Sequence, residues 1–181
     1  MIKLKSLISE SKTLIPRRSG PEREKRWMQE IYKKIQDYIK NGCEELLDLS
    51  GTPIKILPDN LKKVDSLWLQ NSKIEDLNNL EYVGRNLELF STPLKKLPNN
   101  LKKVGGNLNL YNSQIEDLNN LEYVNNSLII DNTSKLKSLG NLKVVGGDTY
   151  CFDSNILNVM SSEEIRCKVK IHGNLSWRLS I

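Results

Sequence analysis

The chain of 181 residues has one histidine, three cysteines, two phenylalanines and no run of about 18 apolar residues. Each shortage excludes something. A lone imidazole, His172, cannot be built into a Ser/His/Asp or Cys/His constellation or a histidine-rich metal site unless carboxylates supply everything else. Cys43, Cys151 and Cys167 are odd in number, widely spaced and form no CxxC pair, so neither a zinc site nor a disulfide framework is expected and a reducing compartment is. The missing apolar run argues against a helical membrane span. The glycines stand singly or in pairs, not as a phosphate-cradling loop after a strand. No catalytic residue, cofactor or metal ion is therefore expected, and the setting expected is cytoplasmic.

The net charge of +5 is unevenly placed. Residues 1–46 hold 11 Lys/Arg against 7 Asp/Glu, residues 47–148 hold 12 against 12, and residues 149–181 hold 4 against 3. The excess sits at the N-terminus, where Lys3, Lys5, Lys12, Arg17, Arg18, Arg23, Lys25 and Arg26 could neutralise phosphates. Nucleic-acid association through this arm is the alternative functional expectation.

What the sequence does contain is repetition. The ten letters IEDLNNLEYV occur at 74–83 and again at 115–124. Aligned segments open at Leu47, Leu67, Leu87, Leu108, Leu128, Thr149 and Val169, each with an apolar-x-apolar pair (LDL, LWL, LEL, LNL, LII, TYC, VKI). Further apolar residues follow at fixed offsets, as in Ile54, Leu57, Leu61, Val64 and Ile74, Leu77, Leu80, Val83. IEDLNNLEYV alternates with IKILPDNLKKV and LKKLPNNLKKV, so the duplicated unit is a pair of coils. The alternation stacks opposite charges in two columns: Lys55, Glu75, Lys95, Glu116, Lys137 and Lys62, Glu81, Lys102, Glu122, Lys143. Those lysines are expected to support the stack and not to form a DNA-binding face.

This spacing resembles the leucine-rich repeat, in its short bacterial form, over roughly residues 46–173. The resemblance implies an α/β solenoid: a parallel β-sheet on the concave face, short extended or 3₁₀ segments on the convex face, and an N-terminal α-helical cap. In place of the inward Asn that usually follows the strand stand Thr52, Ser72, Thr92, Ser113, Thr133 and Ser154, which implies a weaker polar ladder. Pro58 and Pro98 oppose helix on the return leg. Gly84, Gly105-Gly106, Asn125-Asn126 and Gly146-Gly147 read as turns of positive φ.

The expected organisation is a basic arm over 1–18, a helical cap over 19–46, the solenoid over 47–173 and a closing tail over 174–181. SGPE at Ser19 to Glu22 reads as a capping box for a helix over 20–40, with Trp27 on its core side. SSEEIRC predicts a short helical turn capped by Ser161 or Ser162. Cys151 and Cys167 fall at inward positions.

Strand parity gives two outward columns. One is Asp48, Trp68, Glu88, Asn109, Ile129, Tyr150, Lys170; the other is Ser50, Gln70, Phe90, Tyr111, Asp131, Phe152, His172. Trp68, Phe90, Tyr111, Tyr150 and Phe152 concentrate here although aromatics are 6% of the chain. A protein partner is expected on this face at Trp68, Gln70, Glu88, Phe90, Asn109, Tyr111, Tyr150 and Phe152. For Tyr150 and Phe152 the alternative is burial under the C-terminal tail.

The opening MIKLKSLISE lacks the apolar run and small-residue cleavage site of a secretory signal. It resembles the capsid-targeting tags of internal head proteins of tailed phages, which implies processing after Glu10 and packaging in a virion.

Overall fold

The structure, a computed structural model, describes residues 20–177. The basic arm, Ser19 and the expected processing site Glu10 lie outside them, as do residues 178–181. The helix α1 (Pro21–Lys40) leads into β1 (Leu46–Asp48), β2 (Lys63–Val64), β3 (Ser66–Trp68), β4 (Tyr82–Val83), β5 (Leu87–Glu88) and β6 (Lys103–Val104). There follow β7 (Leu108–Asn109), β8 (Tyr123–Val124), β9 (Leu128–Ile129), β10 (Val144–Val145) and β11 (Thr149–Tyr150). Two short helices, α2 (Ile156–Val159) and α3 (Ser162–Lys168), precede β12 (Lys170–Ile171) and β13 (Leu175–Ser176).

Odd-numbered strands form a seven-stranded parallel sheet in the order β1-β3-β5-β7-β9-β11-β13, and even-numbered strands a six-stranded parallel sheet, β12-β10-β8-β6-β4-β2. The chain is a β-solenoid. Leucines 47, 67, 87, 108 and 128 stack in one inward column, and Leu49, Leu69, Leu89, Leu110 and Ile130 in the next, each at most 1% exposed. Because a coil cannot bury its apolar side chains alone, each rung closes on the one below, and the result is one continuous core.

The return leg is made of short extended segments, as expected, and these pair with one another between coils. It carries the whole second sheet, with bridges Ile56↔Asp76, Lys96↔Asp117 and Asp117↔Ser138 alongside. The LKKV and LEYV segments lie one rung apart, and their backbone groups pair between coils as the LxL strands do.

The paired-coil repeat has a local cause. Asn78 and Asn119 of the IEDLNNLEYV copies adopt left-handed backbone (φ 52° and 51°), and their N–H groups donate to Asp76 and Asp117 Oδ1 at 2.7 Å. Their Nδ2 groups donate to the carbonyls of Leu57 and Leu97 in the coils below, at 3.1 and 2.5 Å. Those carbonyls immediately precede Pro58 and Pro98, so the asparagine of one coil type completes the proline turn of the other.

The inward hydroxyls form the expected ladder at five of six positions, since Ser113 Oγ is buried without a partner. Thr52, Thr92 and Thr133 donate Oγ1 to the carbonyls of Leu49, Leu89 and Ile130 at 2.6–2.7 Å, while Ser72 and Ser154 accept from the N–H of Ile74 and Ile156. The positive-φ residues lie just before this ladder, at Gly51, Asn71, Ser91, Asn112, Asn132 and Asp153. The expected positive φ at Gly84, Gly105-Gly106, Asn125-Asn126 and Gly146-Gly147 is not found. These glycines answer to stacking: a Cβ on Gly105 would lie 2.0 Å from the Gly84 carbonyl oxygen, and one on Gly146 2.0 Å from that of Asn125.

The two ends correct four further expectations. Helix α1 starts from Gly20 in extended conformation with Pro21 as its first residue and no side-chain cap, so the SGPE capping box is not the start signal. Ile31 and Ile35 are its buried residues, whereas Trp27 is 41% exposed and not core. The segment VKI is not a seventh strand of the first sheet: Lys170–Ile171 pairs with Val144–Val145 in the second sheet, and β13 pairs with β11. The cause is the insertion of α2 and α3 in that coil. Ser161 caps α3 through a complete capping box with Glu164, at 3.2 Å from its N–H, with Glu164 Oε2 accepting from Ser161 N–H at 2.7 Å. Cys151 is buried and its thiol pushed up to about 12 by desolvation, but Cys167, carried on α3, is exposed.

Candidate functional site

The LxL strands alternate in and out, so burying their leucines forces the intervening residues onto the outer face of the seven-stranded sheet. Register places Trp68 beside Glu88, Glu88 beside Asn109, Asn109 beside Ile129, and Ile129 beside Tyr150. The second column runs parallel: Asn71 N–H donates to Phe90 O, Ser91 N–H to Tyr111 O, and Asn132 N–H to Phe152 O, at 2.8–3.1 Å. Strands stack about 4.8 Å apart, so Trp68, Gln70, Glu88, Phe90, Asn109 and Tyr111 form one patch over three rungs.

Within it Trp68 and Tyr111 are 37% and 42% exposed, and Phe90 is half-buried between its neighbours in the stack. Asn109 fixes the centre: its Oδ1 accepts from Tyr111 N–H at 3.1 Å, and its side chain hydrogen-bonds Glu88. Burial pushes the Glu88 carboxyl above its usual range, and the Asn109 bond draws it part of the way back. Gln70 Oε1 is buried in the patch without a hydrogen-bond partner.

No family model, curated protein or solved structure matches the chain. The face is therefore read from its own chemistry.

Tyr150 and Phe152 lie further along, separated from the patch by the rung of Ile129 and Asp131. Phe152 is 37% exposed and Tyr150 half-buried. The described part of the tail does not lie across them; Leu175–Ser176 adds the next strand edge-on. Tyr150 donates its hydroxyl to Asp148 Oδ2 at 3.1 Å, a bond that raises its titration point. Asp131 Oδ1 accepts from Phe152 N–H at 2.6 Å; burial raises this carboxyl, the bond opposes the rise, and Asp153 adds to it.

Lys170 and His172 leave the face, because β12 belongs to the other sheet; Ser176 stands beside Tyr150 instead. Sequence reasoning also missed a second exposed aromatic column. On the six-stranded sheet Lys63, Tyr82, Lys103 and Tyr123 alternate in register, with Tyr82 and Tyr123 49% and 39% exposed. The signal was present in LKKV and LEYV, whose last two letters put one residue out and one in. The adjoining charge columns close in part as ion pairs, Lys55–Glu75 at 3.1 Å, Lys62–Glu81 at 3.2 Å and Lys143–Glu122 at 2.5 Å, whereas Lys95, Lys102, Glu116 and Lys137 form none among the described residues. Among the described residues no group of three or more His, Cys, Asp or Glu is arranged to hold a metal.

Proposed function

We propose that the chain is a non-enzymatic scaffold of the leucine-rich-repeat class that holds a protein partner on the outer face of its seven-stranded sheet. The observation that carries this is the contiguous patch of Trp68, Phe90 and Tyr111 on successive rungs, framed by Gln70, Glu88 and Asn109. Amphipathic aromatics on a rigid parallel sheet supply contact area at little conformational cost, and the polar groups between them supply direction. The class assignment is supported by the LxL strands at 20–21 residue steps and the inward hydroxyl after each. Tyr150 and Phe152 extend the same face towards the C-terminal end.

The test is selection of a displayed random peptide library on the full chain, repeated on the W68A/Y111A variant. Both side chains are more than a third exposed, so their removal leaves the core leucines in place. Peptides that bind the parent and lose binding to the variant support the scaffold. If no peptide depends on the two rings, the reading is wrong.

A further inference from the structure

The solenoid sorts its charge by face, although its middle segment is neutral overall. On the outer columns of the seven-stranded sheet the described charged residues are Asp48, Glu88 and Asp131, with Asp148 and Asp153 at the margins; among the described residues no Lys or Arg stands in those columns. Lys34 of α1 donates to the main-chain carbonyl of Asp48, not to its carboxylate, and Arg85 pairs with Asp65. The opposite sheet presents Lys63, Lys103 and Lys170 among Tyr82 and Tyr123.

The groups on the anionic face are acceptors and rings. Glu88 and Asp131 are carboxylates without a cationic partner, and Gln70 Oε1 is a buried acceptor without a donor. Trp68, Phe90 and Tyr111 offer π faces a rung apart. An ammonium or guanidinium group answers both needs, since it donates to carboxylate and carboxamide oxygens and is attracted to ring faces at about 0.5–2 kcal/mol each. An acidic segment is repelled by the carboxylates, and a neutral one brings no charge to them.

Building on the scaffold reading, we propose that the partner seated on this face is a Lys/Arg-rich segment of another protein, held between the Trp68, Phe90 and Tyr111 rings and the Glu88 and Asp131 carboxylates. Its long axis lies across the rungs, along the columns, because that is the direction in which rings and carboxylates alternate. The basic opposite sheet keeps such a segment to one side of the solenoid.

The library selection that tests the scaffold also tests this, and separates the two. Peptides dependent on Trp68 and Tyr111 and rich in Lys and Arg are the expected result. For one such peptide, E88Q/D131N weakens binding about tenfold and flattens its salt dependence. These near-isosteric changes remove charge without removing volume, so a fold defect does not imitate the outcome. Ring-dependent peptides that are neutral or acidic overturn the cationic partner and leave the scaffold standing. Ring-dependent basic peptides that bind E88Q/D131N as tightly as the parent also overturn it. A concentration-dependent dimer of the full chain abolished by W68A/Y111A gives the face to a second copy and overturns it. Absence of any ring-dependent peptide removes both readings.

Discussion

Thr149 and Thr133 are both buried threonines of the same solenoid, 3% and 0% exposed, yet removing their hydroxyls is expected to move stability in opposite directions. Thr133 Oγ1 donates to Ile130 O at 2.6 Å and lies 2.7 Å from Ser154 Oγ, so its hydroxyl is satisfied twice. Thr149 takes the column position that Leu47, Leu67, Leu87, Leu108 and Leu128 fill in the other coils. Its Oγ1 has no partner, and it borders a small apolar cavity lined by Leu128, Val145, Cys151 and Leu175 among others.

Threonine to valine keeps the volume and exchanges a hydroxyl for a methyl group. At 149 the exchange relieves a buried polar atom whose desolvation is uncompensated, a cost of about 1–3 kcal/mol. T149V is therefore expected to raise stability by about 1 kcal/mol. At 133 the same exchange breaks two hydrogen bonds and leaves the Ser154 hydroxyl only the Ile156 N–H as partner, an expected loss of about 1–3 kcal/mol. Urea unfolding followed by circular dichroism measures both, provided the slope with denaturant is unchanged between variants. A destabilised T149V, or a T133V within about 0.5 kcal/mol of the parent, would refute the hydroxyl reasoning.

Three further outcomes follow from the stacking. G105A is expected to destabilise by about 1–3 kcal/mol, because the neighbour met by the new Cβ is the rigid Gly84 backbone, whereas G51N is expected to be nearly neutral, since Asn71, Asn112 and Asn132 hold that left-handed position in other coils; thermal unfolding ranks the two. N119A is expected to cost more than N119G, because Gly accepts φ 51° and Ala does not, while both lose the bond to Leu97 O; paired urea titrations give the difference, about 1 kcal/mol. E88Q carries a pH signature. The folded carboxyl titrates above the unfolded one, so the charged form costs stability at neutral pH and that cost disappears as pH falls through the folded value; E88Q is expected to be at least as stable as the parent at pH 7, with the advantage gone below about pH 4, and an advantage that grows in acid would contradict the sign.

How far the sequence speaks for this fold depends on which contacts are periodic. The inward columns were legible because every rung repeats the same demand, and Leu61, Leu80, Leu101 and Leu121 are all fully buried. The hydroxyl ladder was legible for the same reason. The second sheet was not, since a two-residue strand such as Tyr82–Val83 leaves no alternation to count. The glycines at 105 and 146 were misread because the letter alone does not distinguish a residue needing positive φ from one needing no Cβ. Trp27 was misplaced because helical spacing marks a face but not how far the stack reaches across it.

The misplaced last coil bears most on function. Counting by twenties put Lys170 and His172 at the end of the aromatic columns, where the lysine would have offset one of the three carboxylates Asp48, Glu88 and Asp131. The helices α2 and α3 lengthen that coil, so Thr149 meets Leu175 as its partner and Lys170 moves to the far sheet beside Val144. One local signal marks the break in period: Ser161 and Glu164 close a capping box three residues apart, and a helix there cannot also be a rung. Moving that single lysine leaves a face whose described charged residues are all carboxylates, backed by a sheet whose unpaired outward charges, among the described residues, are lysines. The insertion thus strengthens the anionic character of the aromatic face by removing one cation from it. Net charge by segment cannot reveal it, because the two faces draw on the same residues in sequence and separate them only when the coils close.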